Sequence, residues 1–223
     1  MTTLARTPAR SRRGERFLAT AYLTAREFVV DAGFGSEIDW QDTREFCRLG
    51  ERDFLQEAAW VVLSAGMADS VVRRVFNDVS EAFLRWRSAT DIVVHQDECI
   101  EQAERAFRNK RKLRAIVFIA ESVAAVGFDA FKEQLETGGP AALQDLDFIG
   151  PVTCFHLAKN IGLDFVKPDR HLMRAAAAAR VNDPTELCHA IAGVTGDRLA
   201  TVDLVFWRYG ALRRDFENLF APV

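Results

Sequence analysis

Asp169 stands in the run Lys167-Pro168-Asp169-Arg170-His171, a loop that follows a tight turn at Ile149-Gly150-Pro151 and an apolar stretch at helical spacing. An amide-rich turn paired with a placed carboxylate suggests a chemistry. Backbone N–H groups hold an anion such as a phosphate, and the carboxylate stabilises developing positive charge or takes a proton from water. Gly150 permits a turn closed to bulkier residues, and Pro151 suits the first position of a new helix. The amides of Gly150, Val152 and Thr153 are then left without intrahelical partners at a helix N-terminus, where the dipole also favours an anion. Asp169 has an ordinary role as well. Pro168 keeps Lys167 out of the α region, and Asp169 is suited to cap the helix that opens with His171 and Leu172. One side chain can serve both.

The elements that must position these residues read as helices throughout. Apolar periodicity near 3.6 predicts helices over 16–32, 41–48, 51–64, 69–87, 97–106, 110–125, 128–136, 141–146, 151–161, 170–180, 184–192 and 197–220, with a break at Gly138-Gly139-Pro140. The class is all-α. A hydrophobic share of 49% over 223 residues suffices for one sizeable core. Residues 1–15 hold Arg6, Arg10, Arg12 and Arg13 among Thr, Pro and Ser, and read as a disordered basic tail. Residues 16–223 read as one helical domain. No apolar run reaches the roughly 18 residues that cross a bilayer. Cys47, Cys99, Cys154 and Cys188 are dispersed without paired spacing, which reads as buried small hydrophobes in a reducing, cytoplasmic setting and not as disulfides or metal ligands.

The formal net charge of −3 argues at first against a nucleic-acid ligand, because phosphates are met by concentrated Lys and Arg. The distribution is uneven, however. Arg108, Lys110, Arg111, Lys112 and Arg114 cluster, and Lys159, Lys167, Arg170, Arg174 and Arg180 surround the turn and the Asp loop.

Turn, helix, loop and Asp at this spacing resemble the helix-hairpin-helix DNA glycosylase superfamily. Leu63-Ser64-Ala65-Gly66-Met67-Ala68-Asp69 is similar to the turn that enters the helix behind the DNA-wedging loop in the endonuclease III branch. Phe107-Arg108-Asn109-Lys110 through Lys112, Ala115 and Ile116 resembles a helix of the 3-methyladenine DNA glycosylase I branch, as does Phe148-Ile149-Gly150 with Cys154. The resemblance covers roughly Phe54 to Arg174. It implies a bilobal helical fold, with a middle lobe over about 65–140 and the hairpin at 141–162. It also implies a monomer that binds double-stranded DNA, nucleoid-associated in a prokaryote, and hydrolyses the N-glycosidic bond of a damaged or modified base flipped from the stack.

The same resemblance assigns residues. Asp169 is the catalytic carboxylate. Gly150, Val152, Thr153, Lys159, Lys167, Arg170 and His171 meet DNA, and Met67 is the wedge because Gly66 stands where a polar plug is usual. Glu37, Trp40 and Gln41, after the Gly33-Phe34-Gly35 break, form the first-ranked base-reading loop, and Trp60, Phe34 and Trp207 are further aromatics able to stack on a base. The family's hairpins carry a glycine where this chain has Phe148. Bifunctional relatives carry a Schiff-base lysine where it has Val152, so the resemblance implies a monofunctional enzyme, with Lys159 and Lys167 the nearby amines that bear on residual lyase activity. The four scattered cysteines do not supply the closely spaced set that the iron–sulfur loop of endonuclease III needs and four dispersed histidines offer no metal site, so neither is expected, while the resemblance allows a monovalent cation at the hairpin. The glutamate that reads alkylpurine in the 3-methyladenine branch falls near Val61, so that substrate does not carry over. Two other readings remain: a hairpin DNA-binding protein without catalysis, and a helical protein-interaction module.

Overall fold

The computed structural model describes residues 12–213 and 215–221, and among them there is helix, turn and loop but no strand. The fold is all-α, as expected from the sequence. None of these helices is long and apolar enough to cross a membrane. The chain forms two compact units: residues up to Thr43 together with those from Pro168 onward, and Arg44–Lys167 between them.

The first unit is built from α1 (Arg12–Val29), α2 (Gly35–Asp42), α10 (Arg170–Ala178), α11 (Pro184–Thr195), α12 (Leu199–Leu212) and the short α13 (Phe216–Leu219). Leu18, Tyr22, Ala25 and Val29 make a buried stripe along α1. Tyr22 packs edge-on against Phe206 with centroids 5.8 Å apart, and its hydroxyl donates to Asp197 at 2.5 Å. Most of the tail expected to be disordered, residues 1–11, lies outside the described residues. Residues 12–15 correct that expectation, because the helix anchored by the stripe extends back through them, with Glu15 in its first turn where the dipole favours a carboxylate.

The middle unit holds α3 (Glu51–Ser64), α4 (Asp69–Ala82), α5 (Ala89–Val94), α6 (Gln96–Glu104), α7 (Lys110–Val126), α8 (Phe128–Ala142) and α9 (Thr153–Asn160). Its core draws Phe54, Val61 and Leu63 from α3, Val72 and Val79 from α4, and Leu113 and Ile119 from α7, all fully buried. Gly162 ends α9 by necessity. Its φ is +97°, and a Cβ there would lie 2.5 Å from the backbone N of Phe46.

Several helix boundaries differ from the periodic pattern. The helix expected over 41–48 is instead the end of α2 followed by a single 3₁₀ turn, Phe46–Arg48, whose neighbouring carbonyls at Cys47 and Leu49 accept from Lys132 Nζ at 2.8 and 2.9 Å. Tertiary hydrogen bonds there outweigh local propensity. The helix expected over 69–87 stops at Ala82. Leu84, Arg85 and Trp86 then take φ of 56°, 53° and 60°, a left-handed turn of three side-chain-bearing residues. Left-handed backbone costs roughly 1–2 kcal/mol per residue, so this turn stores several. What holds it is Trp86, which stacks on Phe83 at 5.4 Å and donates from Nε1 to Ser80 Oγ at 3.0 Å. The six-residue α5, capped by Ser88 Oγ, is too short for a periodic signal. The Gly138-Gly139-Pro140 break is a kink within α8, and the helix expected over 197–220 is α12 and α13 joined by a loop.

Candidate active site

The hairpin turn belongs to the middle unit. Ile149 N donates to Leu146 O at 3.1 Å, and Cys154 N donates to Gly150 O at 3.0 Å, which opens α9. Phe148 holds φ +64°. It takes the left-handed backbone that a glycine would supply without strain, and the Arg111 guanidinium covers its ring with Cζ 4.9 Å from the centroid. The Gly150 amide is not available to an anion, which corrects the expectation from sequence: it donates to Thr153 Oγ1 at 2.7 Å. The threonine acts as a local cap and accepts the amide the turn would have left bare. Among the described residues no acceptor faces the amides of Val152 and Thr153, and the Val152 side chain is 41% exposed. Asp145 and Asp147 line the adjoining surface.

The turn after α3 is held from below. Lys112, on α7, is buried and donates from Nζ to Leu63 O at 2.7 Å and Ala65 O at 2.6 Å, so its ammonium caps the C-terminal carbonyls of α3. Burial lowers its pKa. Met67 N closes the turn onto Ser64 O at 3.0 Å, and the Met67 side chain stands 36% exposed at its tip instead of entering the core. Lys112 therefore leaves the surface cluster in which the sequence placed it, while Arg108, Arg111 and Arg114 stay exposed.

Beside α9 lies a buried group that the sequence did not single out. Glu57 is 7% exposed, with Arg44 Nη2 at 3.2 Å and Asn160 Nδ2 donating at 3.0 Å. Burial pushes its carboxyl up to about 7, against the opposing pull of Arg44. Lys159 is buried on the same helix, so its ammonium does not stand among the exposed cations expected to meet DNA. Burial, with Lys167 and Lys159 adding to it, lowers the pKa of His156.

Asp169, in the first unit, is the N-cap of α10, as its sequence context suggested. Its Oδ1 accepts from the amides of His171 at 2.8 Å and Leu172 at 3.2 Å. His171 is buried, Arg170 exposed and Lys167 half-buried. Burial lowers the pKa of His171, and Asp169 opposes that shift. A Cβ on Gly210 would lie 2.7 Å from His171 Nδ1 and 2.8 Å from the Phe216 ring, so only glycine leaves room for this histidine. An isolated glycine inside the apolar pattern of α12 was the signal available for it.

No protein-family model, curated protein or solved structure matches this chain.

The first-ranked base-reading residues are not on a loop. Glu37, Trp40 and Gln41 lie on α2, Gln41 is fully buried, and Glu37 is held by Arg208 Nη2 at 2.6 Å. The Arg208 guanidinium sits between Phe34 and Trp207, at 4.2 and 4.6 Å from their centroids, so two of the candidate stacking aromatics already have a planar partner. Trp60 is half-buried in the middle unit, edge-on to Phe76 at 5.0 Å.

Proposed function

We propose that the chain is a monofunctional DNA glycosylase that hydrolyses the N-glycosidic bond of a damaged or modified base and leaves an abasic site. The observation that carries this reading is the hairpin turn, in which Phe148 adopts the glycine-like left-handed backbone and the chain runs into α9 with the Val152 and Thr153 amides open. These amides and the helix dipole suit a DNA phosphate. Met67, exposed on a turn fixed by Lys112, suits the space left by a flipped nucleotide. Asp169 supplies the carboxylate. As the base departs with the bond electrons the sugar develops oxocarbenium character, which a carboxylate stabilises while it takes a proton from the water that attacks the anomeric carbon. The two amides that Asp169 caps fix the orientation of that carboxylate. Val152 cannot form a Schiff base, so water is the nucleophile and no cofactor is invoked. The enzyme in this reading is a cytoplasmic monomer acting on duplex DNA.

A second reading, DNA binding without catalysis, draws on the complete structural role that capping gives Asp169. One experiment separates the two. Duplexes carrying alkylated, oxidised, deaminated or hypermodified bases are incubated with the protein and with Asp169→Asn, then treated with hot alkali. The asparagine retains the cap, so alkali-dependent breaks made by the wild type and reduced at least about 100-fold in the variant establish the glycosylase and its base class. Binding to every duplex with no break in any establishes the second reading.

A further inference from the structure

The middle unit carries a recess that neither the hairpin nor Asp169 uses. It lies between α3, α4 and the left-handed turn, is an open depression of about 560 Å³, and is lined by Arg52, Trp60, Arg73, Phe76, Arg85 and Trp86 among others. That volume falls within the range of small-molecule sites. Its wall is aromatic and rigid: Trp60 meets Phe76 edge-on at 5.0 Å, and Phe76 stacks on the buried Trp86 at 6.1 Å. Its rim sets three arginines against one carboxylate, Glu81. Arg73 lies over Trp60 with Cζ 5.6 Å from the ring and pairs with Asp69 at 2.7 Å, and Arg85 pairs with Glu81 at 2.6 Å. Arg52 has no ion-pair partner among the described residues. Exposed pairs within one helical turn are weak, so a bidentate anion competes for these guanidinium groups readily. The backbone strain of the molecule also collects here, since two of the three successive left-handed residues, Arg85 and Trp86, line the recess. Strain of this kind persists where the surroundings fix it, and it gathers at ligand sites.

We propose that this recess binds a nucleoside monophosphate moiety, its base against Trp60 and Phe76 and its phosphate on Arg52 and Arg85. Guanidinium groups beside an aromatic wall match a ligand that joins a π-face to a phosphate, and the side-chain amides of Gln56 and Asn77 in the same lining offer donors and acceptors to a base edge. The moiety arrives as a free mononucleotide or as one nucleotide of a single strand. This site does not depend on glycosylase activity.

The test is a titration of the full chain, read by intrinsic tryptophan fluorescence, with adenosine 5′-monophosphate, adenosine, inorganic phosphate and a short single-stranded DNA. The monophosphate is expected to give a saturable change with a dissociation constant below about 1 mM, and adenosine or phosphate alone to bind at least about 10-fold more weakly. Arg52→Ala, at an exposed position, weakens the monophosphate and the strand together by about 10-fold while leaving the circular dichroism unchanged. Trp60→Leu costs about 10- to 100-fold, and Asn77→Ala serves in its place if that variant does not fold. Whichever of the two ligands binds tighter names the source of the moiety. Asp169→Asn retains this binding whether or not it abolishes base excision. No saturable response to either ligand up to about 5 mM, or an unchanged affinity in Arg52→Ala, overturns the proposal.

Discussion

A carboxyl buried beside one arginine and one amide is ionised only at a cost, and Glu57 carries that cost in the middle unit. Its folded pKa of about 7 lies above the ordinary 4.5, so between those values the folded protein holds a proton that the unfolded chain has lost. The stability contributed by neutral Glu57 is therefore complete below about pH 4.5 and is lost as pH rises through about 7, at most about 3 kcal/mol in all. Glu57→Gln keeps an acceptor for Asn160 and removes the titration. In urea melts the variant should gain on the wild type by about 2–3 kcal/mol between about pH 4.5 and about pH 8, and a difference that stays constant with pH would show that Arg44 keeps Glu57 ionised throughout. Sequence gave no cue to this residue, because its spacing on α3 is that of any amphipathic helix and its partners come from elsewhere in the chain. Asp169 was legible because its partners are the next two amides but one residue along. The fate of the Gly150 amide is not legible for a related reason: a threonine three residues on can cap locally or face outward, and spacing does not decide which.

At the scale of elements, the left-handed turn between α4 and α5 is the feature least visible in sequence. Leu84-Arg85-Trp86 reads as a continuation of the helix, with no glycine to mark a reversal. What turns the chain is the burial of Trp86 against Phe76 and Phe83, a preference that exists only once α4 is packed. Helices with a long apolar stripe, such as α3 and α7, lie where their periodicity puts them, whereas the short α5 and the 3₁₀ turn at Phe46–Arg48 are set by tertiary hydrogen bonds. The strain makes a specific prediction. Arg85 is exposed and its pair with Glu81 is a weak surface pair, so Arg85→Gly gives up little ion pairing for about 1–2 kcal/mol of relieved backbone. The melting temperature should rise by about 1–4 °C. A fall would mean that the Arg85–Glu81 pair, and not Trp86, holds the turn closed.

For the whole molecule, a net charge of −3 conceals a local excess that the fold both trims and organises. Of the basic run that begins at Arg108, Lys112 is withdrawn to cap α3 and Lys110 is paired with Glu104 at 3.3 Å. Arg108, Arg111 and Arg114 remain exposed, Arg111 and Arg114 one turn apart on α7 and Arg108 just before it, and Arg111 reaches the hairpin through the ring of Phe148. Three exposed guanidinium groups, one of them at the hairpin, and two open amides are a small electrostatic footprint. Asp145 and Asp147 nearby keep it small. Duplex binding should accordingly weaken with salt at a slope of about −3 in a plot of log K against log salt concentration, as expected for about three phosphate contacts. Arg108→Ala combined with Arg114→Ala should reduce that slope by about 2 while leaving the thermal melt unchanged, since both side chains are solvated. A wild-type slope near zero would remove the phosphate contacts from the account. The hairpin would then be a helical connection without a nucleic-acid ligand, and the protein-interaction reading would stand in place of the glycosylase.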